Sequence, residues 1–459
     1  MLLCLTNTGL PLTLARKTAE YNETNEQHKV PSLVSANLII SLTISITVVI
    51  IIFLFANNLK GIFSDERAIP IFLVMLPSLI ALSGYSVLRA WFHGNKDFVS
   101  YSACEFIEEV FHICLTILLA GGLISALNNE LGLAVSFSLS VFITSGILSV
   151  MYIKKGGKLA KPKEYKDIIT SSTPITTMRL FAGITTTLMA VIIPAQLVLY
   201  GMTTSEATTA FGRVVGLAFP LLFIPLAITG SVMIVLIPEI SSDNASGNMK
   251  AISRKLKETL KLSIIICGLF IGIFMALGKE IGILLYDDAT TGEFLKLGSF
   301  IIIPIVFNQI TTSVMNSLRM EKQTFIHFAV GTVFLLILLY TLPKYIGIDT
   351  IIIANGVFNI TSVFLNIVYL RRKKILSMRF IHTIILAIVF SISSGYIGLA
   401  IYRICSISLP PNISTLFGIA IIVALYLALL ICSNTINIGY FYSSIKNRNK
   451  LKPIPRTIT

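Results

Sequence analysis

The chain alternates long apolar runs with short polar segments from one end to the other. A run of about 20 apolar residues forms a helix long enough to cross the hydrocarbon core of a bilayer. The pattern therefore predicts an all-α polytopic membrane protein with about thirteen spans. The runs lie at residues 34–56, 68–90, 102–125, 131–153, 171–200, 205–238, 259–282, 293–317, 325–345, 350–371, 381–403 and 413–433, with a shorter one at 3–16.

Composition supports this class, since 55% of the residues are hydrophobic, 13% are charged and the mean hydropathy is +0.85. The loops are too short to hold a soluble catalytic domain, and they contain no nucleotide-binding or hydrolase motif. The six cysteines and the scattered histidines show no metal-ligating spacing. We therefore expect the function to lie within the helix bundle, and we expect no enzyme activity, no metal and no cofactor.

The net charge of +14 is distributed unevenly among the loops. Every second loop is rich in Lys and Arg, as in KKGGKLAKPKEYK at residues 154–166, and the alternate loops are poor in both. By the positive-inside rule the basic loops are cytoplasmic. The charge therefore sets the topology and is not a nucleic-acid-binding surface. It predicts a multi-pass plasma-membrane protein with a cytoplasmic C-terminus.

Two pairs of segments indicate an internal repeat. SVLRAWFHGNKDF at residues 86–98 is similar to SVMNSLRMEKQTF at 313–325, and GLPLTLARKTAEYN at 9–22 aligns with SVMIVLIPEISSDN at 231–244 at nearly the same offset. The second unit contains six spans and the first contains five. We therefore expect two parallel pseudo-symmetric lobes, and a complete architecture of about 14 helices whose first helix is missing from this chain.

Three segments carry a family resemblance: GLPLTLARKTAEYN, the stretch SGYSVLRAWFHGNKDFVSYSACEFIEEVFHI, and the stretch from TPITTMRLFAG to LIPEIS. They resemble the stage V sporulation protein B and polysaccharide-exporter branch of the multidrug/oligosaccharidyl-lipid/polysaccharide flippase superfamily, over about residues 5–435. The resemblance implies two six-helix lobes around a cavity that opens alternately to either side, plus two C-terminal helices. The related lipid II flippase carries functional arginines on its first helix, which is the helix expected to be missing here, so those arginines are not assigned to residues of this chain.

This organisation divides the chain into four parts. They are an N-terminal lobe at 1–153, a basic cytoplasmic linker at 154–168, a C-terminal lobe at 169–374, and two additional transmembrane helices with a basic tail at 375–459.

Glu105, Glu108, Glu109 and His112 begin an otherwise apolar helix, and their i, i+3, i+4, i+7 spacing places them on one side of it. A charge that faces lipid at the bilayer centre costs about 2.5–3.5 kcal/mol. We therefore expect this glutamate stripe to face a wet cavity or a cationic partner within the lobe. The alternative is that Glu105 and Glu108 lie in the headgroup layer without a specific role. Proton coupling through the stripe and the membrane potential are both open as driving forces.

Arg179 and Arg213 lie deep within apolar spans, where their side chains cannot easily reach the headgroups. Each needs a carboxylate or an anionic substrate. A guanidinium matches two oxygens of a diphosphate, so we predict that both bind the substrate. A structural ion pair with the glutamate stripe would explain the same residues. Arg16 and Arg89, at cytoplasmic helix ends, are either further substrate-binding residues or topology anchors.

Proline and glycine interrupt two consecutive spans of the second unit. Such interruptions are tolerated in bilayers and act as hinges between rocking lobes, although both residues are common in membrane helices generally. The predicted hinge residues are Pro174, Gly183 and Pro194 in the first span, and Gly216, Pro220 and Pro225 in the second.

The family resemblance implies a flippase for a polyprenyl-(di)phosphate-linked oligosaccharide or cell-wall precursor, moved from the inner to the outer leaflet. Its expected partners are this lipid-linked saccharide, membrane lipids and polysaccharide assembly enzymes. The alternative is a cation-coupled multidrug exporter of the same superfamily. A glycosyltransferase would need acidic residues on a large outer loop, and only Asp65/Glu66 and Asp287/Asp288 are available. A cavity lined by arginines favours the anionic lipid, whereas one lined by glutamates favours cationic drugs.

Overall fold

The computed structural model describes residues 9–55, 68–120, 129–163, 165–376 and 381–433, and these residues are almost entirely helical. Eleven helical stretches among them are long and apolar enough to span a membrane, which confirms the all-α polytopic fold. The helices are α1 Leu10–Glu23, α2 Val30–Leu54, α3 Ala68–Met75, α4 Ser78–Gly94, α5 Phe98–Ala120, α6 Asn129–Lys154, α7 Tyr165–Leu199, α8 Thr204–Gly212, α9 Ile224–Ala245, α10 Met249–Tyr286, α11 Ala289–Gly298, α12 Ile302–Ser317, α13 Glu321–Thr341, α14 Thr350–Arg372, α15 Ile381–Cys405 and α16 Pro411–Cys432.

Two of the predicted spans are not among these eleven helical stretches. Helix α5 is 23 residues long but carries the three carboxylates of the glutamate stripe, and α1 has only 14 residues. The first residues of the run predicted at 3–16 lie outside the described residues, as do Asp65, Glu66 and the basic tail after residue 433. Helix α7 begins at Tyr165, so the non-helical connection is shorter than the predicted linker.

The helices pack in three groups. In the first lobe, α4 contacts α1, α2 and α6, and α5 lies along α6. In the second lobe, α10 contacts α9, α11 and α12, while α13 packs against α7 and α14. The C-terminal pair, α15 and α16, packs against α10. The first lobe meets the second mainly through α1, which contacts α7 and α9.

Close backbone contact joins α10 to α11. A Cβ added to Gly292 would lie 2.3 Å from the carbonyl oxygen of Gly278, and one added to Gly282 would lie 2.5 Å from the nitrogen of Gly292. Small residues allow membrane helices to approach in this way, since lipid offers no hydrophobic force to drive them together. Next to this contact Leu277 has φ −118° and ψ 18°, a kink in α10 that the sequence did not predict.

The proposed hinge residues have two different backbone environments. Helix α7 remains helical through Pro174, Gly183 and Pro194. Between α8 and α9 the chain forms a π-helical turn and a short helix, and its regular hydrogen bonding is interrupted again at Phe223. Gly216, Pro220 and Pro225 all lie in or beside this irregular stretch, where the backbone is most easily bent.

The two ends of the bundle differ in charge. We call the end with the Lys- and Arg-rich connections the basic end and the other the opposite end. Connections at the basic end are residues 24–29, 95–97, 155–163, 246–248 and 318–320, and those at the opposite end include 200–203, 287–288 and 406–410.

Candidate functional site

A row of ionic side chains joins the two lobes at the basic end. Arg16 of α1 is only 2% exposed, and it donates to the carboxylate of Glu321 and, at 2.8 Å, to the carbonyl oxygen of Asn316. Arg319 donates from Nε to Glu20 Oε1 at 3.3 Å, and this hydrogen bond raises the pKa of Arg319. Arg16 and Glu20 are four residues apart and therefore lie on one face of α1.

A second set of hydrogen bonds continues this contact. Ser242 of α9 donates to Glu23 Oε2 at 3.0 Å, and Lys96 donates to the oxygen of Ser242 at the same distance. Lys17 lies 3.6 Å from Asp167 of the second lobe. We call these ion pairs and hydrogen bonds the basic-end seam. The seam closes the space between the lobes at the basic end.

A cavity of about 300 Å³ lies between the lobes. Pro11 and Leu12, which contribute to its wall, are one turn further from the basic end than Arg16. Arg89 and Arg179 also line this interlobe cavity, and its lining among the described residues includes no carboxylate. The remaining lining residues are Ser86, Ala90, His93, Tyr101, Gly230, Met233, Ile234, Ile237, Gln309 and Ser313.

Arg89 is held in place by its own lobe. Its guanidinium carbon lies 4.1 Å from the centroid of the Tyr101 ring, and its Nη2 donates to Glu105 Oε2 at 2.8 Å. Stacking on an aromatic face and one carboxylate fix the plane of the group. The Nε donor is buried and has no hydrogen-bond partner in the described part of the protein. A guanidinium has five donors, so Arg89 keeps capacity for an anion.

Arg179 belongs to the same cavity but comes from α7 of the second lobe. His93, also on the cavity wall, contacts the backbone carbonyl oxygen of Ile234 in α9 through Nε2. A carbonyl oxygen only accepts, so Nε2 of His93 carries the hydrogen. Each lobe therefore contributes one arginine, Arg89 or Arg179, to a cavity whose walls are formed by both lobes.

Comparison with known proteins decides the family. A family model described as "Polysaccharide biosynthesis protein" matches residues 1–244, more than half of the chain. The chain belongs to the polysaccharide biosynthesis protein family. It is 22% identical over 345 residues to stage V sporulation protein B of Bacillus subtilis (strain 168). That match covers 71% of this chain and 66% of the relative, just under two thirds of the relative's length.

Solved structures of MATE transporters share the fold of this polysaccharide biosynthesis protein. A MATE protein in the straight conformation has a TM-score of 0.70 at 13% identity, over 81% of this chain and 84% of the other. The Vibrio cholerae MATE transporter VcmN in the bent form has a TM-score of 0.67 at 13% identity, over 82% and 85%. An outward-facing multidrug resistance MATE family transporter of the MOP superfamily has a TM-score of 0.70 at 13% identity, over 81% and 84%. The fold is shared with these MATE transporters, and the eleven apolar helical stretches are those of a multi-pass membrane protein.

The four predicted substrate-binding arginines of this polysaccharide biosynthesis protein occupy three places. Arg89 and Arg179 lie together in the interlobe cavity, and Arg16 lies in the basic-end seam. Arg213 does not line the cavity. It pairs with Asp288 at 3.0 Å near the opposite end, with 42% of its side chain exposed. Although slight burial acts to raise the pKa of Asp288, hydrogen bonds from Thr291 and Thr290 and the charge of Arg213 hold it below its usual value.

The glutamate stripe has a cationic partner, Arg89, which pairs with Glu105, whereas Arg213 pairs with Asp288. Arg89 is available because α4 packs beside α5 within the same lobe. Glu105 remains 53% exposed in this pair.

The rest of the stripe has no described ion pair. Glu108 lies close to the hydroxyl of Tyr85 without a hydrogen bond of normal geometry, and Glu109 is exposed. The ring of His112 contacts that of Phe137, with centroids 5.7 Å apart. Among the described residues, Glu105 therefore links the stripe to the cavity only indirectly, through its ion pair with Arg89 on the cavity wall.

Sequence reasoning missed Glu321, Glu20, His93 and Gln309. Glu20 follows Arg16 at the i, i+4 spacing of helical ion pairs, which is a usable signal. Gln309 stands in an apolar run, where a polar side chain indicates a functional or interhelical contact. No pattern connects Arg16 with Glu321, because the two are 305 residues apart in the chain.

Proposed function

We propose that this protein is a flippase that moves a polyprenyl-(di)phosphate-linked oligosaccharide across the cytoplasmic membrane by alternating access. The observation that carries the proposal is the pair Arg89 and Arg179, which come from different lobes and line one cavity without a carboxylate among its described lining residues. Two guanidinium groups in a partly water-excluded site are well suited to phosphate oxygens, which they bind through paired hydrogen bonds.

The position of the arginines also suits an alternating mechanism. An anion between Arg89 and Arg179 contacts both lobes, so its binding energy depends on how far apart the lobes are. The basic-end seam then corresponds to a state closed toward the cytoplasm, since the positive-inside rule places the basic loops there. In this state the oligosaccharide leaves toward the outer leaflet, and separation of the seam admits the next substrate from the inner leaflet.

Export of cationic drugs is the second candidate function. The MATE fold is compatible with it, and the exposed carboxylates of Glu105 and Glu109 are the residues that favour it. Two arginines on the cavity wall oppose it, because a cation placed between them is repelled and its desolvation is not compensated.

Reconstitution into vesicles distinguishes the two functions. We expect the purified chain to move a labelled polyprenyl-diphosphate-linked saccharide between leaflets faster than protein-free vesicles do, and not to move a cationic dye. The assay follows the fraction of label that an impermeant reagent reaches in the outer leaflet over time. Dye transport without lipid movement would replace the proposed function with the second one. Repeating the assay with imposed pH and voltage gradients identifies the driving force.

Topology gives an independent prediction. Cysteines introduced at Lys158 and Lys250 should react with an impermeant maleimide only from the cytoplasm, and cysteines at Thr203 and Ala289 only from outside. The first three positions are exposed and all four lie at or beside connections between helices, so labelling should not require unfolding. A cysteine-free version of the chain supplies the background. The reverse pattern at either pair would contradict the orientation set by the basic loops.

A further inference from the structure

A second pocket, of about 190 Å³, lies inside the second lobe directly beside the interlobe cavity. Gln309 belongs to the walls of both, and the consecutive residues Met178 and Arg179 line one each. A group attached to a phosphate that Arg179 binds is therefore within reach of this second-lobe pocket. Taken together, the two spaces have the size of an ordinary small-molecule site, about 300–1,000 Å³.

The second-lobe pocket has a different chemistry from the interlobe cavity. No Asp, Glu, Lys or Arg lines it, and its polar side chains are amides, hydroxyls and one imidazole. Its apolar walls include Phe328 and Phe358, whose rings meet edge to face with centroids 5.4 Å apart. Neutral hydrogen-bonding groups next to aromatic rings suit a molecule that is itself uncharged and has both polar edges and apolar faces.

Hydrogen bonds within the lobe fix the orientation of the imidazole. Thr311 donates its hydroxyl hydrogen to the carbonyl oxygen of Phe307 at 2.7 Å, so its oxygen accepts from Asn366 Nδ2 at 3.0 Å. The other amide atom, Asn366 Oδ1, then faces His327 Nδ1 at 2.7 Å, and this nitrogen must carry the hydrogen. In the neutral ring of His327, Nε2 is consequently an acceptor, and it has no protein donor among the described residues.

Two further groups on the wall have unused hydrogen-bonding capacity. The hydroxyl of Ser362 is buried and has no partner in the described structure. The Gln309 amide lies 3.5 Å from the Thr229 hydroxyl, whose one hydrogen goes to the Pro225 carbonyl oxygen at 2.9 Å, and the amide has no other protein partner among the described residues. Buried polar groups in folded proteins are nearly always paired, so the unpaired hydroxyl of Ser362 points to a ligand that supplies the partner.

We propose that the second-lobe pocket is the subsite for the first sugar of the lipid-linked substrate, an uncharged saccharide ring next to the phosphate held by Arg89 and Arg179. The inference rests on the proposed function. Sugar hydroxyls both donate and accept, which matches the Gln309 amide, the His327 acceptor and the Ser362 hydroxyl. A metal cation takes acceptors only, and an ionised group would lack a counter-charge in this pocket.

The test compares two esters of geranylgeranyl diphosphate that have the same charge: one carries a methyl group on the terminal phosphate and is the sugar-free probe, and the other carries one N-acetylglucosamine there. Binding to the purified chain in detergent is followed by the fluorescence of Trp91, the chain's only tryptophan, two residues from Arg89. We expect the wild type to bind the sugar-bearing probe about tenfold more tightly. Ser362→Ala, at a residue that lines the second-lobe pocket and not the interlobe cavity, should reduce that preference by about fivefold and leave affinity for the sugar-free probe unchanged, and Gln309→Met should reduce the preference by a similar factor.

Ser263→Ala is the matched control, because this serine is also buried but donates only to the Thr259 carbonyl oxygen of its own helix, away from both cavities. Thermal unfolding of every variant separates lost recognition from lost folding, and Ser362→Ala removes a hydroxyl with no partner to lose. An unchanged sugar preference in Gln309→Met and Ser362→Ala overturns the subsite. The subsite is also overturned if Na⁺, rather than the sugar, raises the thermal stability of the wild type and these variants abolish that increase. If Arg89→Lys and Arg179→Lys also leave binding of both probes unchanged, the proposed function itself fails.

Discussion

Replacing Arg179 with lysine should lower transport of the lipid-linked saccharide by about 10- to 100-fold, although the charge is kept. The guanidinium presents two parallel donors to a pair of phosphate oxygens, whereas an ammonium is a single point of charge. Hydrogen bonds to charged groups contribute about 1.5–3 kcal/mol each. Arg89→Lys should have an effect of similar size, because Arg89 lines the same cavity from the other lobe. Initial rates in the vesicle assay measure both losses.

Arg213→Lys is the matched control for this prediction. Arg213 pairs with Asp288 outside the cavity, and we expect its lysine variant to transport at close to the wild-type rate. Protein yield and thermal stability in detergent should be unchanged in all three variants. A stable Arg179→Ala variant with full activity would remove Arg179 from the substrate site and leave Arg89 without its counterpart.

Removing one charge of the Arg16–Glu321 pair should destabilise the protein strongly. Arg16 is 2% exposed and Glu321 8% exposed, so Glu321→Ala removes the carboxylate to which the buried guanidinium donates and leaves Glu20, 3.8 Å from its Nε, as the remaining one. Loss of one partner from a buried pair costs about 3–5 kcal/mol. Part of this loss should appear as opening of the basic end. Thermal stability measures the first effect, and labelling of a cysteine at Ser313, on the cavity wall, from the cytoplasmic side measures the second.

Two comparisons interpret that result. The double variant Arg16→Met, Glu321→Leu should recover much of the stability, since it leaves no unpaired charge, but it should not recover transport. Glu26→Ala breaks the exposed pair with Lys29 and should change stability by about 0–1 kcal/mol. If Glu321→Ala behaves like Glu26→Ala, the seam does not hold the lobes together.

The fold could be predicted because bilayer thickness sets helix length. Every apolar run of the sequence that lies in the described part corresponds to helix, and only charged α5 and short α1 fall outside the eleven apolar spans. The local spacing of the glutamate stripe likewise predicted either a wet cavity or a cationic partner for it, and Glu105 has such a partner. It did not predict which one, because Arg89 reaches Glu105 from a neighbouring helix and the choice depends on packing.

The candidate site was harder to predict for two physical reasons. Arg213 was predicted to bind the substrate because it lies deep within an apolar run. In the structure it lies at the π-helical turn and forms an ion pair with Asp288 near the opposite end. Arg89 was assigned to a helix end, whereas α4 continues to Gly94 and Arg89 lies more than one turn inside it. Contacts between lobes join residues hundreds of positions apart, and helical periodicity carries no information about them.

Because the basic-end seam is built from ion pairs, it can open and close repeatedly. An apolar interface resists separation because parting it exposes hydrocarbon to water. Separation of the seam breaks the ion pairs among Arg16, Glu20, Arg319 and Glu321, but it also allows water to hydrate these charges again. The free energy lost with the ion pairs is therefore nearly offset by the free energy of hydration. Such an interface is reversible. Its ion pairs are stable while water is excluded, and when water enters, the lobes separate without exposing apolar surface on either side.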